Sequence, residues 1–197
     1  MVLCMKGNHR MTYLWMGSLA FLFFVIYDIN SVILNSRLLH SAFFIGCFLL
    51  VAATGGLISV TLAQEPRVTD RVFVFIPLAV VFLFLLVYTL FFAVPFEDTY
   101  MKSDGSPEIC TTGFYALSRH PGFLWFAGLY FSLWLALSGD LLLSAGILFC
   151  LLNLLYIIFQ DRWTFMKIFP DYGDYKKMTP FLIPNRQSFS RCIRTFR

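Results

Sequence analysis

Arg119 and His120 stand directly before Pro121 and the aromatic run "GFLWF", and Asp161 and Arg162 follow closely on the apolar run that ends at Phe159. An arginine suits a carboxylate, an aspartate suits an ammonium ion, and aromatic faces hold cations or heteroaromatic planes. Tyr115, Phe123, Trp125 and Trp163 supply such faces close to the same two places. Each residue also has an ordinary reading. A lone arginine at a helix end snorkels towards headgroups, an Asp-Arg pair caps a solvated helix end, and Trp and Tyr form interfacial belts. The run Arg119-His120-Pro121 fits less easily, because proline at the first helical position opens a helix and keeps the two preceding side chains in extended backbone. As a set, these parts match a ligand with a carboxylate, an ammonium and a sulfonium or adenine group, as S-adenosylmethionine has. A phospholipid headgroup would use the same parts.

The elements that must position these residues are membrane helices. The chain is 59% hydrophobic and only 13% charged, with a mean hydropathy of +0.75, too apolar for a soluble domain of 197 residues. Charge-free runs long enough to approach the span of a hydrocarbon core of about 30 Å occur at Met11 to Tyr27, Leu38 to Ala63, Val72 to Val94, Gly122 to Leu137 and Leu141 to Phe159. The first and fourth sit at the lower limit of length. Gly55-Gly56 in the second predicts a bend or a close helix contact. The expected fold is all-α, an integral membrane bundle of about five transmembrane helices. The turn "LSGD" is so short that the last two form a tight hairpin, and both ends of it return to one side. No small-residue cleavage pattern follows the first run, so that helix is expected to be retained. The five scattered cysteines predict neither disulfides nor a metal site.

Basic residues set the expected orientation. Eight of the fifteen Lys and Arg lie beyond Phe159, and with five spans these share a side with Arg37, Lys102 and Arg119, against four basic residues opposite. The positive-inside bias then places the C-terminus and the Arg-His-Pro segment in the cytoplasm and the N-terminus outside. The tail, with only three acidic residues, also suits an anionic leaflet. Four parts are expected: a three-helix membrane scaffold (1–96), a cytoplasmic loop carrying Arg-His-Pro (97–121), the hairpin (122–159), and a basic C-terminal segment completing a cofactor site (160–197).

The residues in "TTGFYALSRHPGF" and "FQDRWTFMKIFPDYGDYKKMTPFLIPN" carry a resemblance. Gly113, Tyr115, Arg119, His120, Pro121 and Phe123 in the first stretch, and Gln160-Asp161, Tyr172, Tyr175, Pro180 and Pro184 in the second, resemble the isoprenylcysteine carboxyl methyltransferase and phospholipid methyltransferase group of integral membrane enzymes. The match covers roughly Thr111 to Asn185; the earlier helices match only in hydrophobicity. Gln160 stands where the group has the first of two acids, Trp125 where a glycine is frequent, and "FPDYGDY" alters the usual spacing. The resemblance implies an S-adenosylmethionine-dependent methyltransferase acting at the cytoplasmic face on a membrane lipid, isoprenoid or lipidated acceptor. Tyr115, Arg119, His120, Pro121, Asp161 and Tyr175 would bind the cofactor, with Asp161 on its amino group. Arg162 is the candidate for orienting a carboxylate acceptor.

Two other readings use the same sequence. Membrane sterol reductases resemble this group around an NADPH site, although this chain has no obvious basic cluster for a 2'-phosphate beside the hairpin. A non-catalytic scaffold or transport protein predicts polar residues within the spans, where this chain offers chiefly Thr54, Ser59, Thr61, Thr89, Ser132 and Asn153. No nucleic-acid partner and no metal are expected. The acceptor and the oligomeric state are not encoded in these patterns.

Overall fold

The computed structural model describes residues 2–64, 70–92 and 109–196, with side chains from Arg10 onward. The expected loop is therefore described only from residue 109, and Arg67, Pro95 and Lys102 lie outside the described residues. The described residues contain helices and turns but no strand. In order these are α1 (Val2–Ile29), α2 (Arg37–Gln64), α3 (Val72–Phe91), α4 (Phe114–Leu117), α5 (Pro121–Leu137), α6 (Asp140–Phe159), α7 (Phe165–Ile168), α8 (Tyr172–Met178) and α9 (Arg186–Thr195). A π-helical turn, Asn30–Leu34, continues α1, and a second, Gln160–Thr164, joins α6 to α7.

Four stretches are long and apolar enough to cross a membrane: Arg10–Leu34, Arg37–Gln64, Val72–Phe91 and Asp140–Ile168. Helix α5 is also apolar but has 17 residues. Two of these stretches run further than their charge-free runs predict. The first helix passes beyond Tyr27 through Asp28, and the last passes beyond Phe159 through Asp161 and Arg162. A polar residue does not end a helix when its side chain is satisfied inside the fold. Asp28 is buried and accepts a hydrogen bond from Tyr156.

The chain forms two compact units, Met1–Ala79 with Leu129–Tyr156, and Val80–Gly128 with Ile157–Arg197. In the first, α1 and α2 pack through small residues and rings. Ala20, Ala53, Leu57, Ala145 and Phe149 are fully buried. Phe21 meets Phe24 edge-on, with centroids 5.8 Å apart. Gly56 lies against the ring of Tyr13, where any Cβ would collide, so the expected close contact occurs at Gly56 while Gly55 faces open space. The connection to α2 is held by Asn30, whose Oδ1 accepts from the Ser36 amide at 2.8 Å and whose Nδ2 donates to the Ser36 carbonyl at 3.0 Å. Asn35 takes the left-handed conformation (φ 47°) that asparagine tolerates better than most residues. Thr54 and Tyr130 share a 2.5 Å hydrogen bond.

The second unit gathers the end of α3, the start of α5 and the short helices α4 and α7 to α9. Helix α4 packs on α9 through Ala116, Leu117 and Cys192, with Phe114 and Trp125 against them. Gly113 precedes α4 at φ 57°, a value that disfavours any residue with a Cβ, and its amide donates to Thr195 Oγ1 at 3.0 Å. Helix α9 starts with a reciprocal cap: Asn185 Oδ1 accepts from the Ser188 amide at 2.8 Å, and the Asn185 amide donates to Ser188 Oγ at 3.0 Å.

Candidate functional site

Pro121 is the first residue of α5 and is fully buried, the position where a missing amide hydrogen costs nothing. Ser118 to His120 lie outside any helix, and Ser118 is extended at φ −151°, ψ 151°. They are fixed by a second segment, residues 179–181. The Arg119 amide donates to the Pro180 carbonyl at 3.0 Å, and Ser118 Oγ donates to the Phe181 carbonyl at 2.9 Å. The His120 amide donates back to Ser118 Oγ at 3.3 Å. With its backbone held on both flanks, the dipeptide Arg119-His120 projects its side chains in fixed directions.

Those side chains meet Asp161. Arg119 Nε donates to Asp161 Oδ1 at 2.8 Å and Nη2 reaches Oδ2 at 3.4 Å. The other arm of the guanidinium is clamped by backbone: Nη1 donates to the Thr179 carbonyl at 2.7 Å and to the Lys176 carbonyl at 3.2 Å. Tyr172 Oη donates to Asp161 Oδ1 at 2.6 Å, and Lys176 Nζ lies 2.8 Å from Oδ2 and 3.2 Å from the Asp161 carbonyl oxygen. One buried carboxylate thus faces two cations and a phenol. Such a group is retained in a low-dielectric site because every lone pair has a donor. The π-helical turn Gln160–Thr164 that carries Asp161 is the wider helical geometry often found where a side chain must be re-aimed at a site.

His120 completes the cluster differently. Its Nε2 is 3.5 Å from Asp161 Oδ1, too far for a good hydrogen bond, and has no hydrogen-bond partner although the side chain is 5% exposed. The ring lies between Phe165, parallel at 5.8 Å, and Phe181, edge-on at 5.1 Å. Burial lowers its pKa from the ordinary histidine value, against the pull of Asp161, so the imidazole is neutral at pH 7. Burial likewise raises the pKa of Tyr115, Tyr172 and Tyr175, keeping these phenols protonated as donors.

The structure brings together Arg119, His120 and Asp161, and Pro121 opens α5 directly after the first two. Tyr115 and Tyr175 form an adjoining layer: Tyr175 Oη donates to the Tyr115 carbonyl at 2.6 Å, and Tyr115 Oη donates to the Thr89 carbonyl at 3.2 Å. Arg162 is exposed, one residue beyond Asp161, and is not among the partners of the cluster. Trp125, in place of the frequent glycine, donates from Nε1 to Thr89 Oγ1 at 3.1 Å and stacks on Phe82. Sequence reasoning missed Lys176, Thr179, Phe165 and Phe181. Lys176 lies on α8 one residue after Tyr175, so the tyrosine stretch was the signal that pointed to it. The carbonyl acceptors of Arg119 carry no residue-type signal at all. Among the described residues no group of three or more His, Cys, Asp and Glu is arranged to hold a metal.

Comparison of the chain with protein-family models, with curated proteins and with solved structures finds no match in any of the three.

Proposed function

We propose that this protein is a membrane methyltransferase that uses S-adenosylmethionine and acts on a lipid-like acceptor. The observation that carries the reading is the buried Arg119–His120–Asp161 cluster, in which charges are paired but His120 Nε2 is left without a hydrogen-bond partner. A buried polar atom without a partner costs roughly 1 to 3 kcal/mol, a cost that an incoming ligand would relieve. The donor set suits the amino-acid end of S-adenosylmethionine, which carries an ammonium and a carboxylate. Arg119 is fixed by two backbone carbonyls and would stay in place. Lys176 is the partner of Asp161 with most freedom, its side chain 32% exposed. A ligand ammonium would take its position on Asp161 Oδ2, releasing Lys176 to the ligand carboxylate. His120 Nε2 would meet a polar atom of the same molecule, and Tyr115 and Tyr175 would back the pocket.

When bound, the cofactor supplies an electrophilic methyl group on a sulfonium, which leaves with the sulfur keeping the bond's electron pair. The protein's task is in-line placement at about 3 to 3.5 Å and exclusion of water, with no dedicated base needed for a carboxylate acceptor. Arg162 would orient such an acceptor by two parallel hydrogen bonds. In this reading α5 is a fifth span despite its length, α5 and α6 form a hairpin, and the positive-inside bias puts the cluster and the C-terminus in the cytoplasm. The test is saturable binding of S-adenosylmethionine by purified protein, lost in His120→Ala while thermal unfolding stays cooperative. Unchanged affinity in a folded His120→Ala protein would sink the site assignment.

A further inference from the structure

The chain from Lys176 to Arg197 contains six basic residues and no acidic one. Its helix α9 is strongly two-sided in a way that the buried cluster does not use. One stripe, Ser188, Cys192 and Thr195, faces inward: Ser188 and Cys192 are buried, and Thr195 accepts from the Gly113 amide. A second stripe, Phe189 and Ile193 with Phe196 just past the helix end, follows the i, i+4, i+7 spacing of one helix face and is left open. These three are 58%, 62% and 48% exposed, and Ile183, shortly before the helix, is 83% exposed. Arg186 and Arg194, both exposed, lie beyond this apolar stripe, away from the inward face. An inward stripe, an apolar open stripe and a basic stripe in succession describe a helix lying in an interface.

The surroundings of α9 give the level of that interface. Phe196 meets Phe114 edge-on at 4.9 Å, and Phe114 meets Trp125 near the start of α5 at 5.2 Å and Tyr88 near the end of α3 at 6.0 Å. Rings gathered where apolar helices end mark the headgroup level of a bilayer. The apolar stripe of α9 would reach below that level and its arginines would lie along it.

We propose that the open face of α9 docks on an anionic phospholipid leaflet, with Phe189, Ile193 and Phe196 inserted among acyl chains and Arg186 and Arg194 on the phosphates. Charge selects this occupant: with no acid in the segment, a zwitterionic surface offers little attraction, whereas each arginine near an anionic one gains favourable energy. The proposal stands apart from the methyltransferase reading, because it involves neither the cofactor nor the residues of the cluster.

The test is amide hydrogen exchange of residues 186–195 in the full-length protein, in nanodiscs of phosphatidylcholine alone and of phosphatidylcholine mixed with phosphatidylglycerol. Exchange in α9 should slow by about tenfold in the anionic discs, the scale expected from a few arginines at a charged surface. Arg186→Gln with Arg194→Gln should erase the difference between lipids, and Phe189→Ser with Ile193→Ser should leave exchange fast in both. Equal exchange in the two lipids would overturn the proposal. So would protection that appears only when two copies share a disc, which would assign the face to self-association.

Discussion

Asp161 concentrates the electrostatics of the second unit in one carboxylate, and its partners differ in what they would cost to remove. Asp161→Asn leaves Arg119 buried without its counter-charge and should destabilise the protein by about 3 to 5 kcal/mol, read as a lowered unfolding midpoint in detergent. Lys176→Met should cost much less, because that side chain is partly exposed and Arg119 and Tyr172 still satisfy the carboxylate. Equal losses in the two variants would contradict this ranking. His120 gives the pH dependence. Its folded pKa lies below its unfolded value of about 6.5, so below that pH the unfolded chain binds a proton that the folded chain refuses. Stability contributed by neutral His120 is therefore full above pH ~6.5 and falls as pH drops towards the folded pKa. Wild-type protein should lose more of its unfolding midpoint between about pH 7 and pH 5 than His120→Gln, and parallel pH curves would contradict the assignment. At this scale the sequence was most legible where chemistry is a side-chain property: Arg119, His120 and Asp161 stand out by type and by their place beside apolar runs. Thr179 and Pro180 do not, because they act through backbone carbonyls, which every residue has.

Apolar helices were legible in place but not at their ends. A charge-free run identifies the part of a helix that is apolar all round, and the ends at Tyr27 and Phe159 followed from that criterion. In the structure both helices continue through an aspartate that finds donors within its own unit, Tyr156 for Asp28 and Tyr172 for Asp161. The π-helical turns at Asn30–Leu34 and Gln160–Thr164 begin just past those ends. No periodicity in a short apolar run announces such turns. The glycine pair in α2 was legible as a contact, and the structure divides its two members. Gly56→Leu should drive a side chain into Tyr13 and cost about 1 to 3 kcal/mol or more, while Gly55→Leu, facing open space, should be nearly neutral. Similar unfolding midpoints for the two would contradict that division. The cap of α9 offers a milder test: Asn185→Ala should weaken the helix by about 1 kcal/mol, seen as faster amide exchange in residues 186–190 with the rest unchanged.

For the whole molecule, composition pointed to apolar helices, and four stretches have the length and hydropathy to cross a membrane, with no strand among the described residues. What composition could not supply is the role of the first unit. Its helices are held together by small residues and rings, contacts that read in sequence only as hydrophobicity. Acceptor choice, under the proposed function, would be written in those same apolar surfaces. Under the proposed function the Arg119–His120–Asp161 cluster receives S-adenosylmethionine, and the decisive measurement is titration calorimetry of the detergent-purified full-length protein, with NADPH as the control ligand and His120→Ala alongside. The expected result is saturable binding of S-adenosylmethionine, no heat with NADPH, and an affinity at least tenfold weaker in the variant, about 1.4 kcal/mol. Folded wild-type protein that binds NADPH instead, or binds neither ligand, would contradict it.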